Sequence, residues 1–181
     1  HTTVSLSVTR TGITAPQTYK LTSKHIVFPT VTEKRLKNVL YYKISSFNQG
    51  TAPSLSKKLK LATSAMGHDL KGVVLDLRGN PGGLLKQSVK VADLFLTRGT
   101  IVSTKGRHPD SLHHYAAGGS DLTKKRPLIV LIDGKSASAA EIVAAALQDR
   151  ERAILIGTSS FGKGTVQSVL RLPNDGEITL T

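Results

Sequence analysis

A chain of 181 residues with 39% apolar and 20% charged side chains can bury one substantial core, is too short for two full domains, and is too apolar to be disordered. The absence of cysteine excludes disulfides, a thiolate nucleophile and cysteine metal sites, and no run approaches the eighteen or so apolar residues of a spanning helix. The net charge of +13 raises an anionic partner, but the basic groups are scattered and aromatics are only 4%, which favours a solvated basic surface over a nucleic-acid face.

Val4, Leu6 and Val8 alternate with polar residues, which predicts a half-buried strand almost at the first residue. Further strands are expected at 26–31 and 39–45, the second carrying Tyr41 and Tyr42. Leu55, Leu59, Ala62 and Met66 recur at helical spacing, with Ser54 as N-cap and Gly67 as the stop. From Gly72 onward strands and helices alternate: a strand at 73–77, a helix marked by Leu85, Val89, Ala92 and Leu96, and a short strand at 101–103. Residues 105–125 read as a long polar loop, followed by a strand at 128–132, an alanine-rich helix from Ser138 to Gln148 and a strand at 153–156. Two last strands, 165–170 and 177–181, flank the turn Pro173-Asn174-Asp175-Gly176. This series predicts an α/β fold with a mainly parallel sheet flanked by helices.

In such a sheet, ligands bind at loops that leave the carboxyl ends of strands. Three loops qualify, at 80–83, 134–138 and 157–164. The third satisfies most of the phosphate-binding pattern G-x-x-x-x-G-K-[ST], but Gly164 stands where a magnesium-holding hydroxyl is needed and a strand, not a helix, is expected next. Lys163 is alternatively a general base. That role requires a neutral amine, hence a desolvated one, because an ordinary lysine with pKa about 10.4 is protonated at neutral pH. The structural reading is a solvated loop lysine.

Ser138 is the candidate nucleophile, placed at the positive end of a helix with the next backbone N–H free to meet an oxyanion. Its structural reading is a cap: Ser138 and Glu141 form a capping-box pattern, with Ser136 as a competing cap. Gly82 and Gly83 permit the close backbone approach that a second oxyanion donor needs. A serine–histidine–aspartate triad would draw on His25, His68, His108, His113 or His114 with Asp76 or Asp133, but none lies in a known frame, and His113-His114 lacks metal-ligand spacing. Asp76 and Arg78 read as a strand-end ion pair.

Three segments together resemble the carboxyl-terminal processing, or tail-specific, serine peptidases. The family's glycine signature is similar to Leu75-Asp76-Leu77-Arg78-Gly79-Asn80-Pro81-Gly82-Gly83, and its nucleophile segment S-A-S-A-S-E-I to Ser136-Ala137-Ser138-Ala139-Ala140-Glu141-Ile142. Its base segment F-G-K-G-x-V-Q matches Phe161 to Gln167, and the lysine falls twenty-five residues after the serine, as in the family. The third serine of the nucleophile segment is Ala140 here. The resemblance implies a crotonase-like or Clp-protease-like core in which Ser138 is the nucleophile, Lys163 the general base and Gln167 its orienting partner. It implies the backbone N–H groups of Gly83 and Ala139 as oxyanion donors, and it calls for no metal or cofactor. Attack of the Ser138 hydroxyl on a peptide carbonyl, with its proton passing to neutral Lys163, would give an acyl-enzyme that water hydrolyses.

The resemblance further implies unfolded or C-terminally tagged protein substrates, no nucleic acid, an extracytoplasmic (periplasmic) setting and possible homo-oligomers of the full-length protein. Members usually carry a PDZ domain. Residues 1–25 are expected to be the end of one plus a linker, and 26–181 the peptidase core, cut short at its C-terminus. The glycines of 157–164 suggest a dyad left unaligned until substrate or another domain moves that loop. Competing readings are a catalytically silent scaffold of the same fold and an anion- or nucleic-acid-binding module.

Overall fold

The computed structural model describes residues 2–24, 26 and 28–181. Its centre is a five-stranded sheet in the order β3(Val31–Leu36), β4(Val39–Ile44), β5(Gly72–Asp76), β8(Leu128–Ile132), β9(Ile154–Gly157). β3 pairs antiparallel with β4, and the other four strands run parallel. The parallel strands follow one another across the sheet in chain order, joined through α1(Thr51–Met66), α2(Leu85–Asp93) and α3(Ala139–Asp149). Successive right-handed crossovers in one direction deliver their helices to the same face. That face carries Leu40, Tyr42, Ile44, Val73, Leu75 and Val130, which merge with Leu55, Leu59, Val91, Val143 and Leu147 of the helices into one buried core. The alternate residues Tyr41, Val74, Ile129 and Leu131 on the other face are half-buried, and the edge residue Ile154 is 69% exposed.

Three two-stranded units surround this core: β1(Thr3–Val8) with β2(Gln17–Thr22), β6(Thr100–Thr104) with β7(His113–Ala116), and β10(Ser168–Arg171) with β11(Glu177–Leu180). Among the described residues the expected strand at 26–31 starts only at Val31. Its described residues 26 and 28–30 are irregular, Val27 and His25 lie outside the described residues, and the strand begins at Val31, where the chain can pair with β4. β2 was not expected, although Tyr19 and Leu21 stand opposite Leu6 and Val4 on one face of the hairpin and carry a period of two. The segment 105–125 is not all loop. Its residues 113–116 form β7, which pairs with β6 and is mostly exposed, so burial leaves it without hydrophobic patterning.

α1 begins three residues before the expected cap. Asn48 organises the start by accepting from the Gly50 amide at 2.9 Å, and Thr51 Oγ1 accepts from the Asn48 amide at 2.9 Å. Ser54 lies inside the first turn, its amide bonded to the Gly50 carbonyl, and Pro53 is tolerated because first-turn amides have no helical acceptor. β10 starts at Ser168, three residues later than expected, so Thr165 to Gln167 extend the preceding loop.

Candidate active site

Two loops leave the carboxyl ends of the adjacent parallel strands β5 and β8, and backbone bonds stitch them together. Asn80 is fully buried: its side-chain amide donates to the Ile44 carbonyl at 2.9 Å, its side-chain oxygen accepts from Gly82 N–H at 2.8 Å, and its carbonyl accepts from Ala137 N–H at 2.9 Å. Asp133 accepts from Gly79 N–H at 2.9 Å and Lys135 N–H at 3.0 Å, and these amides, Gly79 foremost, hold its carboxyl below the usual range against burial. Ser136, the competing cap, is instead a buried bridge: its hydroxyl donates to the Leu77 carbonyl at 2.8 Å and accepts from Asp133 N–H at 3.0 Å. The glycine segment and the serine segment are thereby brought together.

Ser138 is the N-cap of α3 with φ 55° and ψ −113°. This is a mirror-turn geometry that favours glycine, and a serine persists in it only where its surroundings over-determine it. Here Glu141 accepts from Ser138 N–H at 2.7 Å, and Gly82 packs against the turn: a Cβ on Gly82 would fall 2.9 Å from Ser138 Cβ and 3.1 Å from the Ala139 nitrogen. Gly83, at φ +138°, bridges to Phe47, which donates to the Gly82 carbonyl at 2.9 Å and accepts from Leu84 N–H at 2.8 Å. Among the described residues, the amides of Gly83 and Ala139 donate to no protein acceptor.

The 157–164 loop reaches this turn through its backbone. Phe161 N–H donates to the Ser136 carbonyl at 3.0 Å. Glu141 Oε1 accepts from the Ser160 hydroxyl at 2.7 Å and Gly162 N–H at 2.6 Å, and Glu141 Oε2 accepts from Lys163 N–H at 3.0 Å beside Ser138 N–H. Burial works against the Glu141 carboxylate, but these donors outweigh it and lower its pKa. The Lys163 side chain is exposed. Its amine donates to Gln167 Oε1 at 3.4 Å, and Gln167 donates to Thr181 Oγ1 at 3.3 Å. Among the described residues no hydrogen bond joins the Ser138 hydroxyl to Lys163. The loop is docked, and the two side chains expected to form the dyad are not bonded to each other. No helix follows Lys163, and β10 starts five residues later, so the phosphate-cradle geometry is missing.

The remaining candidates go elsewhere. Asp76, fully buried at the end of β5, takes two side-chain bonds from Arg78 at 2.9 and 2.8 Å and one from Tyr41, the strand-end pair read from sequence. Burial opposes its charge, yet the Arg78 side chain, Tyr41 and the Arg78 amide together lower its pKa to about 2. His108 faces Asp110, His114 faces Thr100, and His25 lies outside the described residues. Among the described residues no cluster of three or more His, Asp or Glu side chains could hold a metal ion, and no helix is long and apolar enough to cross a membrane. A concavity of about 1180 Å³ lies at the opposite end of the sheet, between Phe95, Gly99, Arg126 and Arg152, and includes none of the site residues. Sequence reasoning missed the linking roles of Asn80, Asp133 and Phe47. For Asn80 and Asp133 the local signal was a position beside a glycine just after a strand; Phe47 carried none.

The sequence matches Peptidase family S41 over residues 38–181. It is 44% identical over 181 residues to the carboxy-terminal-processing protease of Bartonella bacilliformis, covering 99% of this chain and 42% of the relative. It is 34% identical to the carboxy-terminal processing protease CtpA of Bacillus subtilis, covering 99% and 38%. A solved structure, a photosystem II D1 C-terminal processing protease, superposes with a TM-score of 0.74 at 26% identity, covering 99% of this chain and 50% of that one. The chain thus spans less than half the length of these curated relatives. With the three motif segments gathered at one end of a mostly parallel sheet and the sequence matched over most of its length, this chain belongs to Peptidase family S41.

Proposed function

We propose that this chain is the catalytic core of a serine endopeptidase that cleaves unfolded or C-terminally recognised proteins. Ser138 is the nucleophile, Lys163 the base that accepts its proton, and Gln167 the partner that orients the lysine. The tetrahedral oxyanion is received by the amides of Gly83 and Ala139. Residues 26–181 make up the core and 1–25 belong to a preceding unit, which the separate β1–β2 hairpin favours. A periplasmic or other extracytoplasmic setting accords with the bacterial and chloroplast relatives.

One observation carries this reading: the strained Ser138 turn has two unengaged amides beside it and the lysine loop bonded to its helix. Strain of that kind at a helix start is characteristic of an exposed nucleophile. The test is cleavage of an unstructured protein with an apolar C-terminal tail by the parent, Ser138→Ala and Lys163→Ala proteins. Loss of cleavage in both variants supports the dyad. Cleavage that survives both substitutions makes the chain a scaffold whose activity lies elsewhere.

A further inference from the structure

Glu141 was read from sequence as one half of a helix cap, and a cap needs a single bond to the Ser138 amide. The carboxylate makes four. Its two oxygens offer about four acceptor sites, and all are filled: Oε2 by the amides of Ser138 and Lys163, Oε1 by the Ser160 hydroxyl and the Gly162 amide. Three of these donors lie nineteen to twenty-two residues away, on the loop after β9. One oxygen therefore holds the backbone of the expected nucleophile and of the expected base at once. Besides these bonds the segment has one backbone tether to the serine loop, Phe161 N–H to the Ser136 carbonyl at 3.0 Å, while the Phe161 ring is 67% exposed, Lys163 is exposed and Gly162 adopts φ +84°.

We propose that Glu141 is a positioning residue of the peptidase reaction, whose carboxylate clamps residues 160–163 to the first turn of α3 and so sets where the Lys163 side chain begins its reach to Ser138. The inference rests on the serine–lysine reading above. It requires the ionised acid. A glutamine of the same shape must present an NH2 group in place of one oxygen, and whichever way the amide is turned at least one loop amide, Gly162 or Lys163, faces that NH2 and loses its acceptor. A purely structural cap would tolerate the change, because the oxygen left to glutamine still caps Ser138.

The test compares parent, Glu141→Gln and Glu141→Ala in the full-length protein, with Ser138→Ala and Lys163→Ala alongside. The expected result for Glu141→Gln is a kcat lower by about a hundredfold, the scale of a 1 Å misplacement of a reacting group, with KM unchanged within about twofold. Amide hydrogen exchange at Gly162 and Lys163 should accelerate while the core amides of Val130 and Val143 keep their protection. Glu141→Ala should follow the same direction. A Glu141→Gln protein with parental kcat, or with parental exchange at residues 162 and 163, overturns the proposal. If Ser138→Ala or Lys163→Ala still cleaves, the serine–lysine reading has failed and the catalytic role of Glu141 falls with it. That outcome differs from inert dyad variants beside a fully active Glu141→Gln protein, which sinks the positioning role alone.

Discussion

Gly83 lies so close to the Phe47 backbone that a Cβ at residue 83 would overlap the Phe47 carbonyl oxygen. The neighbouring atoms are backbone, held by the bonds from Phe47 N–H to the Gly82 carbonyl and from Leu84 N–H to the Phe47 carbonyl, so they cannot give way as a side-chain tip would. Gly83 also has φ +138°, where a Cβ is strained in its own right. Gly83→Ala is expected to cost about 2–4 kcal/mol and to abolish cleavage by moving the residue 83 amide. Urea denaturation measures the first effect, and a change below about 0.5 kcal/mol would show that the two backbones separate freely.

Asn80 makes the same loop rigid from inside. Its side chain satisfies the Ile44 carbonyl and the Gly82 amide, both in the interior, and truncation leaves each without a partner. Asn80→Ala should therefore lower stability by about 2–4 kcal/mol, the cost of two unpaired buried groups. Asn80→Asp keeps the acceptor for Gly82, but at neutral pH it buries a charge and sets a carboxylate oxygen against the Ile44 carbonyl. It should be no more stable than Asn80→Ala at pH 7, and parental stability there would show that the side chain is not enclosed.

The Asp76 pair should give stability an acid limb. The folded value of about 2 lies below the ordinary 3.8, so the unfolded chain takes up the proton first. The stabilisation is complete above the ordinary value, declines as pH falls from there toward about 2, and is gone below it. With Arg78 half-exposed, its size is on the order of 1–2 kcal/mol. Denaturation midpoints of parent and Asp76→Asn proteins should differ at pH 6 and converge near pH 2. A constant difference across that range would assign the effect to packing.

Far from the site, Arg152 ties three segments together. It donates to Asp121 Oδ2 at 3.1 Å, to the carbonyls of Phe95 and Arg126 at 3.1 and 3.0 Å, and to Thr123, while Asp121 is only 4% exposed. Arg152→Met should cost about 1–3 kcal/mol, because Asp121 loses its cationic partner and keeps only the Thr123 and Lys125 donors, while the Phe95 and Arg126 carbonyls lose theirs. Adding Asp121→Asn should recover part of that loss. A double variant less stable than the sum of the single effects would reverse the expected sign of the coupling.

Much of the core was legible because its pattern is local. The short, β-branched runs at 73–75 and 128–132 favour buried strands, and the spacing of Leu55, Leu59 and Met66 fits one face of a helix. Errors arose where burial exerts no pressure. β7 is mostly exposed, so nothing in its composition distinguishes it from loop, and the start of α1 is set by Asn48 and Thr51 rather than by the serine in the usual place.

The sequence by itself determined which residue types stand at three strand ends and in what order, and hence the family. What only the tertiary structure decided is how those ends meet. The Ser138 turn is strained, Asn80 and Asp133 fasten the glycine segment to it, and Glu141 carries the lysine loop while the Lys163 amine turns to Gln167. The physical reason is range. Periodicity reports which side of a segment leaves water, whereas the bonds that join one loop to another span nineteen to fifty-nine residues and exist only once parallel strands bring distant loops to one end of the sheet.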